Sequence, residues 1–211
     1  MLEERLKERI RAAVAAAEAA SGAEIVPVLV RASDSHTVAD WKAAALGGAL
    51  GTAALVVLRW RDPWSGGAAW WPLAATLLGA LAGVAAAQLP ALRRRLAGRA
   101  ALERAVEAGA RATFVEHAVF RTRDSTGILL YVSLFERRVR VLADEGVYRA
   151  VAPETWARVA ADAARRMEAG PAGEALLAAV EAAGRLVGEH GPKRRGDDRD
   201  ELADAPIVDG R

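Results

Sequence analysis

Two long uncharged stretches constrain this chain more than any other feature. No charged residue lies between Lys42 and Arg59, and the 30 residues from Pro63 to Leu92 carry no charge. A helix in a water-soluble core rarely avoids charge for that long, because one of its faces normally meets water. Twenty helical residues span about 30 Å, the thickness of a bilayer's hydrocarbon core. The sequence therefore predicts a transmembrane hairpin within residues 41–90, with one helix over 41–60 and a second over 67–89. Between them, Arg61-Asp62-Pro63-Trp64-Ser65-Gly66 is a turn rich in helix breakers. So short a connection makes the two helices antiparallel neighbours.

Tryptophan placement agrees. Trp41, Trp60, Trp64, Trp70 and Trp71 are five of the six tryptophans, and all fall at predicted helix ends. Indole rings favour the headgroup level, and Lys42 and Arg59 can reach outward from the hydrocarbon. The competing reading is a pair of Ala-rich helices buried in a soluble core. The six Leu and Val residues of the first segment supply only about −2 to −4 kcal/mol toward insertion. Glycines four apart, Gly47 with Gly51 and Gly79 with Gly83, allow close helix approach. They serve either packing of the hairpin on itself or a dimer face.

Charge sets the expected orientation. Arg93, Arg94, Arg95 and Arg99 follow the second segment and Lys42 precedes the first, against Arg59, Arg61 and Asp62 between them. The balance predicts a multi-pass protein of the inner (cytoplasmic) membrane with both termini cytoplasmic. Arg93, Arg94 and Arg95 also suit anionic lipid.

The flanking sequence reads as α/β. Leu2, Leu6, Ile10, Val14 and Ala17 form one stripe of an amphipathic helix that Ser21-Gly22 ends. Glu24–Val30 is a strand, with Pro27 suited to an edge or a non-bonded position. A helical pattern runs from about Ala91 to His117. Ile128–Phe135 and Arg138–Ala143 form a hairpin of strands around Glu136-Arg137. Two helices follow, Pro153–Ala169 and Gly173–Glu189. The predicted organisation is residues 1–40 and 91–190 as one domain, interrupted by the hairpin, with 191–211 a flexible acidic tail.

The helix ahead of SGAEIVPVLV, the stretch TGILLYVSLFERRVRVLADEGV and the two helices after it resemble the TPM domain. The resemblance covers residues 2–190 and is closest to uncharacterised bacterial membrane proteins whose TPM domain is split by a membrane hairpin. It implies a three-layer α/β fold with a small mixed sheet flanked by helices. It also implies a role in assembly or repair of membrane complexes, with phosphatase activity in some members and calcium in others. A LemA-like envelope protein is an implied partner.

The residues themselves offer limited chemistry. There is no cysteine, which excludes thiol nucleophiles and Cys-based metal sites. A net charge of +2 is too small to predict nucleic-acid binding. No secretory signal peptide is predicted from MLEERLKERI. Asp34 and His36 follow the first strand, and Asp124 precedes the second. Asp124, Asp144 and Glu145 are the candidate ligands for calcium or another divalent cation, although Asp in turns and caps explains them as well. His36, His117 and His190 lack metal-site spacing. Arg137, Arg138 and Arg140 suit either an acidic lipid or protein partner, or simple protection of a sheet edge. The expected function is a membrane-tethered, non-catalytic interaction domain; the alternative is a divalent-metal-dependent phosphatase.

Overall fold

The computed structural model describes residues 3–61, 69–191, 202 and 205–209. In chain order the elements are α1 (Glu4–Ala20), β1 (Glu24–Val30), α2 (Thr37–Arg61), α3 (Trp71–Ala86), α4 (Pro90–Ala97), α5 (Arg99–Glu116), β2 (Gly127–Ser133), β3 (Arg138–Ala143), α6 (Glu145–Ala150), α7 (Pro153–Ala169), α8 (Ala172–His190) and β4 (Ile207–Asp209). They fall into two units. One comprises Met1–Asp34 with Glu103–Arg211, and the other is Ser35–Leu102.

The first unit is built on a mixed four-stranded sheet in the order β3-β2-β1-β4. β1 pairs with β2 in parallel, from Glu24↔Gly127 to Val30↔Ser133, and β2 pairs with β3 antiparallel. Both strand patterns follow from period-2 side-chain alternation. Ile25, Leu29, Ile128, Leu130 and Val132 face one core, where α1, α7 and α8 supply Ile10, Val14, Trp156, Leu176 and Val180. Val26, Val28, Val30, Leu129 and Tyr131 face the other, against Val106 and Ala110 of α5. Such a sheet, buried on both faces, explains the near-continuous apolar runs EIVPVLV and GILLYVS.

Pro27 sits where its missing donor costs nothing. The Glu24 N–H donates to Thr126 O and the Leu134 N–H to Val30 O, so even-numbered residues of β1 point their backbone at β2. Pro27 and Ile25 therefore face away from it. The Ile25 N–H donates to the Glu18 carboxylate at 2.8 Å. β4 takes up the same edge one residue later, at Val28↔Ile207.

Several expectations change. The helical stretch 91–117 is two helices, separated at Gly98, whose φ of 84° is left-handed. β2 stops at Ser133, because Leu134 and Phe135 belong to the turn that Arg137 closes at φ 51°. α6 follows β3 directly, started by the Asp144 side chain accepting the Glu145 N–H at 2.7 Å. Residues 207–209 of the predicted flexible tail form β4 instead. Two β-branched residues there meet an edge of β1 that still has backbone groups to pair.

In the second unit, α2 and α3 pack antiparallel through their glycines. A Cβ at Gly47 would strike the Gly79 carbonyl, and one at Gly79 the Gly47 carbonyl. Gly51 lies opposite Ala75, and Gly83 opposite Ala43. Thr52 Oγ1 and Thr76 Oγ1 bond across the pair at 2.6 Å. The outer surface is apolar and exposed, including Leu50, Val57, Leu58, Leu77, Leu78 and Leu81.

α2 is long and apolar enough to cross a membrane. α3 has 16 residues, about 24 Å at 1.5 Å each. It reaches that length only together with α4, and the two are bent by 106°. The bend follows from Pro90, which holds Leu89 extended at ψ 118°. The second predicted span is therefore shorter than the uncharged stretch suggests. The predicted turn at 61–66 lies outside the described residues apart from Arg61.

Candidate functional site

Parallel strands β1 and β2 end together at Val30 and Ser133. Open α/β sheets bind ligands beyond such ends. Here the space is filled by a polar cluster. The β2–β3 turn returns Glu136 to a position only 3% exposed. Its Oε1 accepts the Ser33 N–H at 3.0 Å, and its Oε2 accepts the hydroxyl of fully buried Ser133. Ser33 Oγ lies 3.1 Å from the Tyr131 hydroxyl. A Cβ on Gly109 of α5 would press on that hydroxyl, so a glycine leaves room for it. Ser133 is thus a sealed donor to a carboxylate rather than a nucleophile open to substrate. In the sequence Glu136 reads as a turn residue, and the spacing Ser133-x-x-Glu136 is a local signal for their pairing.

The candidate cation ligands come together through backbone more than side chains. The Gly146 N–H donates to Ser125 O at 2.9 Å, and a Cβ on Gly146 would collide with the carbonyls of Asp124 and Ser125. This brings the Asp124 loop against the start of α6. Asp144 caps that helix, while Glu145 pairs with Arg149 at 2.6 Å. Among the described residues no three His, Asp or Glu side chains form a metal-holding group. His36 is buried in a left-handed conformation ahead of α2, whereas His117 and His190 are exposed.

The membrane-interface candidates lie in the second unit. Trp41, Trp60, Trp70 and Trp71 are all exposed, Trp60 at 85%. Trp64 lies outside the described residues. Arg93 is partly buried and pairs with Asp40 at 2.7 Å while donating to Ser35 O at 3.0 Å. It therefore joins the start of α2 to α4. Arg94 is half-buried and Arg95 exposed.

A second site lies along the outer edge of β3. There a groove of about 750 Å³ runs between α5 and α7, within the ~300–1,000 Å³ typical of binding clefts. Arg138 and Arg140 pair with Glu103 and Glu107 of α5 at 3.1 and 2.7 Å. The opposite wall is Ala157, Ala160, Ala161 and Ala164 of α7. Arg140, Ala157 and Ala160 also line an adjoining cavity of about 280 Å³, which reaches Trp156 and Tyr148.

The model of the TPM domain family matches residues 95–186, a span that includes the β2–β3 hairpin, the strand-end cluster of Ser133 and Glu136, and the groove. Residues 95–186 carry a TPM domain. The NMR structure of the BA42 protein from the psychrophilic bacterium Bizionia argentinensis is similar, with a TM-score of 0.57 and 15% identity over 99% of this chain and 95% of that one. At that identity the likeness is one of fold. No curated protein matches. The matched span holds β2, β3, α5, α6, α7 and most of α8, while β1 and α1, earlier in the sequence, complete the sheet and core.

Proposed function

We propose that this TPM-domain protein is anchored in a membrane by α2 and α3 and serves as a non-catalytic interaction module in the assembly or maintenance of a membrane protein complex. One observation carries the anchoring: in the α2–α3 pair the glycines face inward and the Leu, Val and Trp side chains face outward. A helix pair folded for water places its apolar residues the other way round. Lipid favours this arrangement, because small residues let backbones approach and apolar tails accept the Leu and Val surface. In this reading α3 completes a hairpin in the inner membrane, and the two arms of the domain share the cytoplasmic side. The interaction role draws on the sealed strand-end cluster, which leaves Ser133 and Glu136 no access to a substrate.

Reporter fusions at residues 64 and 191 test the anchoring. They should report opposite sides of the membrane, and the same side for both would reject the hairpin. The interaction role predicts that the purified chain enriches a defined membrane complex and hydrolyses no phosphomonoester. Robust turnover lost in Asp124→Ala or Asp144→Ala would replace it with the metal-dependent phosphatase, and calcium would then need those same residues.

A further inference from the structure

We propose that the outer edge of β3 binds an extended acidic segment of a protein partner by strand addition. The proposal rests on the reading of this chain as an interaction module and names the surface that would do it.

β3 is the terminal strand of the sheet. The Asp144 N–H donates to Gly127 O, so the even-numbered residues of the strand bond to β2. Val139, Val141 and Ala143 therefore turn their backbone N–H and C=O groups outward. The Ala143 N–H is taken by the Tyr148 hydroxyl at 3.3 Å, which closes one end of the edge. Val139 and Val141 remain, and an added strand can satisfy both. The other edge of the same sheet accepts such a segment. There Ile207–Asp209, from the acidic stretch DELADAPIVD, pairs with β1 in parallel.

The groove also specifies the chemistry of the occupant. Five arginines and three glutamates line it, leaving it positive. Arg138 and Arg140 are two residues apart on one face of β3, the spacing of alternate side chains on a paired strand. The Arg138 and Arg140 side chains remain 31% and 46% exposed beside their glutamate partners, so both present charge to the groove. On the α7 side the alanines leave room for small apolar side chains. Trp156, 2% exposed, lines the adjoining cavity with an Nε1 donor that has no acceptor among the described residues. The fitting segment alternates acidic and small apolar residues.

The test uses the full chain in zwitterionic detergent and a fluorescein-labelled peptide alternating Asp and Val, followed by anisotropy. The Asp/Val peptide should bind. N-methylation of its alternate backbone nitrogens should weaken binding about tenfold or more, because hydrogen bonds to the edge are lost. Arg140→Glu should weaken it similarly, and a Lys/Val peptide should not bind. No binding of the Asp/Val peptide, or binding indifferent to N-methylation, overturns the proposal; the peptide variant leaves the protein's fold untouched. If Arg138→Glu and Arg140→Glu abolish binding to anionic vesicles but spare the peptide, the edge serves lipid and the proposal also fails. If the peptide fails while a membrane complex still co-purifies with the Arg140→Glu chain, the edge proposal falls alone. If no complex co-purifies with the unaltered chain either, the interaction module falls with it.

Discussion

Glu136 accepts the backbone N–H of Ser33 at 3.0 Å, across 103 positions of sequence. Ser33 stands two residues before the second unit departs at Ser35. The same carboxylate holds Ser133, the last residue of β2. One side chain thus ties the exit from β1 to the hairpin that follows the insertion. A loop of some seventy residues can leave the sheet there because its point of departure is held from within.

Glu136→Ala should destabilise the protein by about 2–4 kcal/mol, since a charge-assisted pair of hydrogen bonds is lost and one buried and one partly buried donor are stranded. Glu136→Gln keeps an acceptor and should cost less. Denaturant titration followed by circular dichroism in detergent measures both. Equal stability of all three chains would mean that the carboxylate contributes nothing to holding the fold.

The glycine contacts assign α2 and α3 to each other. The chain has no cysteine, so Thr52→Cys with Thr76→Cys gives a clean probe. The two side chains already meet, with oxygens 2.6 Å apart. Oxidation should produce a disulfide within one chain, seen as faster migration on a non-reducing gel. Disulfide-linked dimers as the main product would assign the glycine face to a second copy.

Asp144 acts on α6 whether or not a cation binds. Asp144→Ala should cost about 0.5–2 kcal/mol through the lost cap, and Asp144→Asn much less. Both are measured with chelator present. Gly146→Val should cost more than Asp144→Ala, because its Cβ would meet the Asp124 and Ser125 carbonyls. A cost that appears only when calcium is supplied would instead make Asp144 a ligand.

Asp40 and Arg93 join α2 to α4 at 2.7 Å, each about one-quarter exposed. A double-mutant cycle with Asp40→Ala and Arg93→Ala should give a coupling of about 1 kcal/mol, since partial exposure screens the pair. Zero coupling would leave Arg93 held through its bond to Ser35 O instead.

The strands were legible because their signal is local. EIVPVLV, ILLYVSLF and RVRVLA are rich in apolar and β-branched residues and bounded by turn residues, and the three strands follow them within two residues. Pro153 and Gly170 likewise bracket α7 in both readings. α6 was not legible, because Asp144-Glu145-Gly146 reads equally as a turn. The helix forms once the Asp144 cap and the burial of Val147 are both in place. β4 was hidden by its acidic surroundings, since its pairing depends on an open edge of β1 almost 180 residues earlier.

The candidate site divides the same way. Asp124, Asp144 and Glu145 could be named from their positions at strand ends, but the carboxylate buried in the strand-end cluster is Glu136. Burial depends on what packs over a side chain, and here that is Ser33 and the turn after β2, which no window of sequence contains. By itself the sequence determined the two apolar segments, the strand periods and the Arg-rich edge, because charge and side-chain alternation act on neighbours a few residues apart. Only the tertiary structure decided that Gly47 meets Gly79, that Glu136 holds Ser33, and that β3 keeps an open edge. Each of those depends on backbone groups distant in sequence finding, or lacking, a partner.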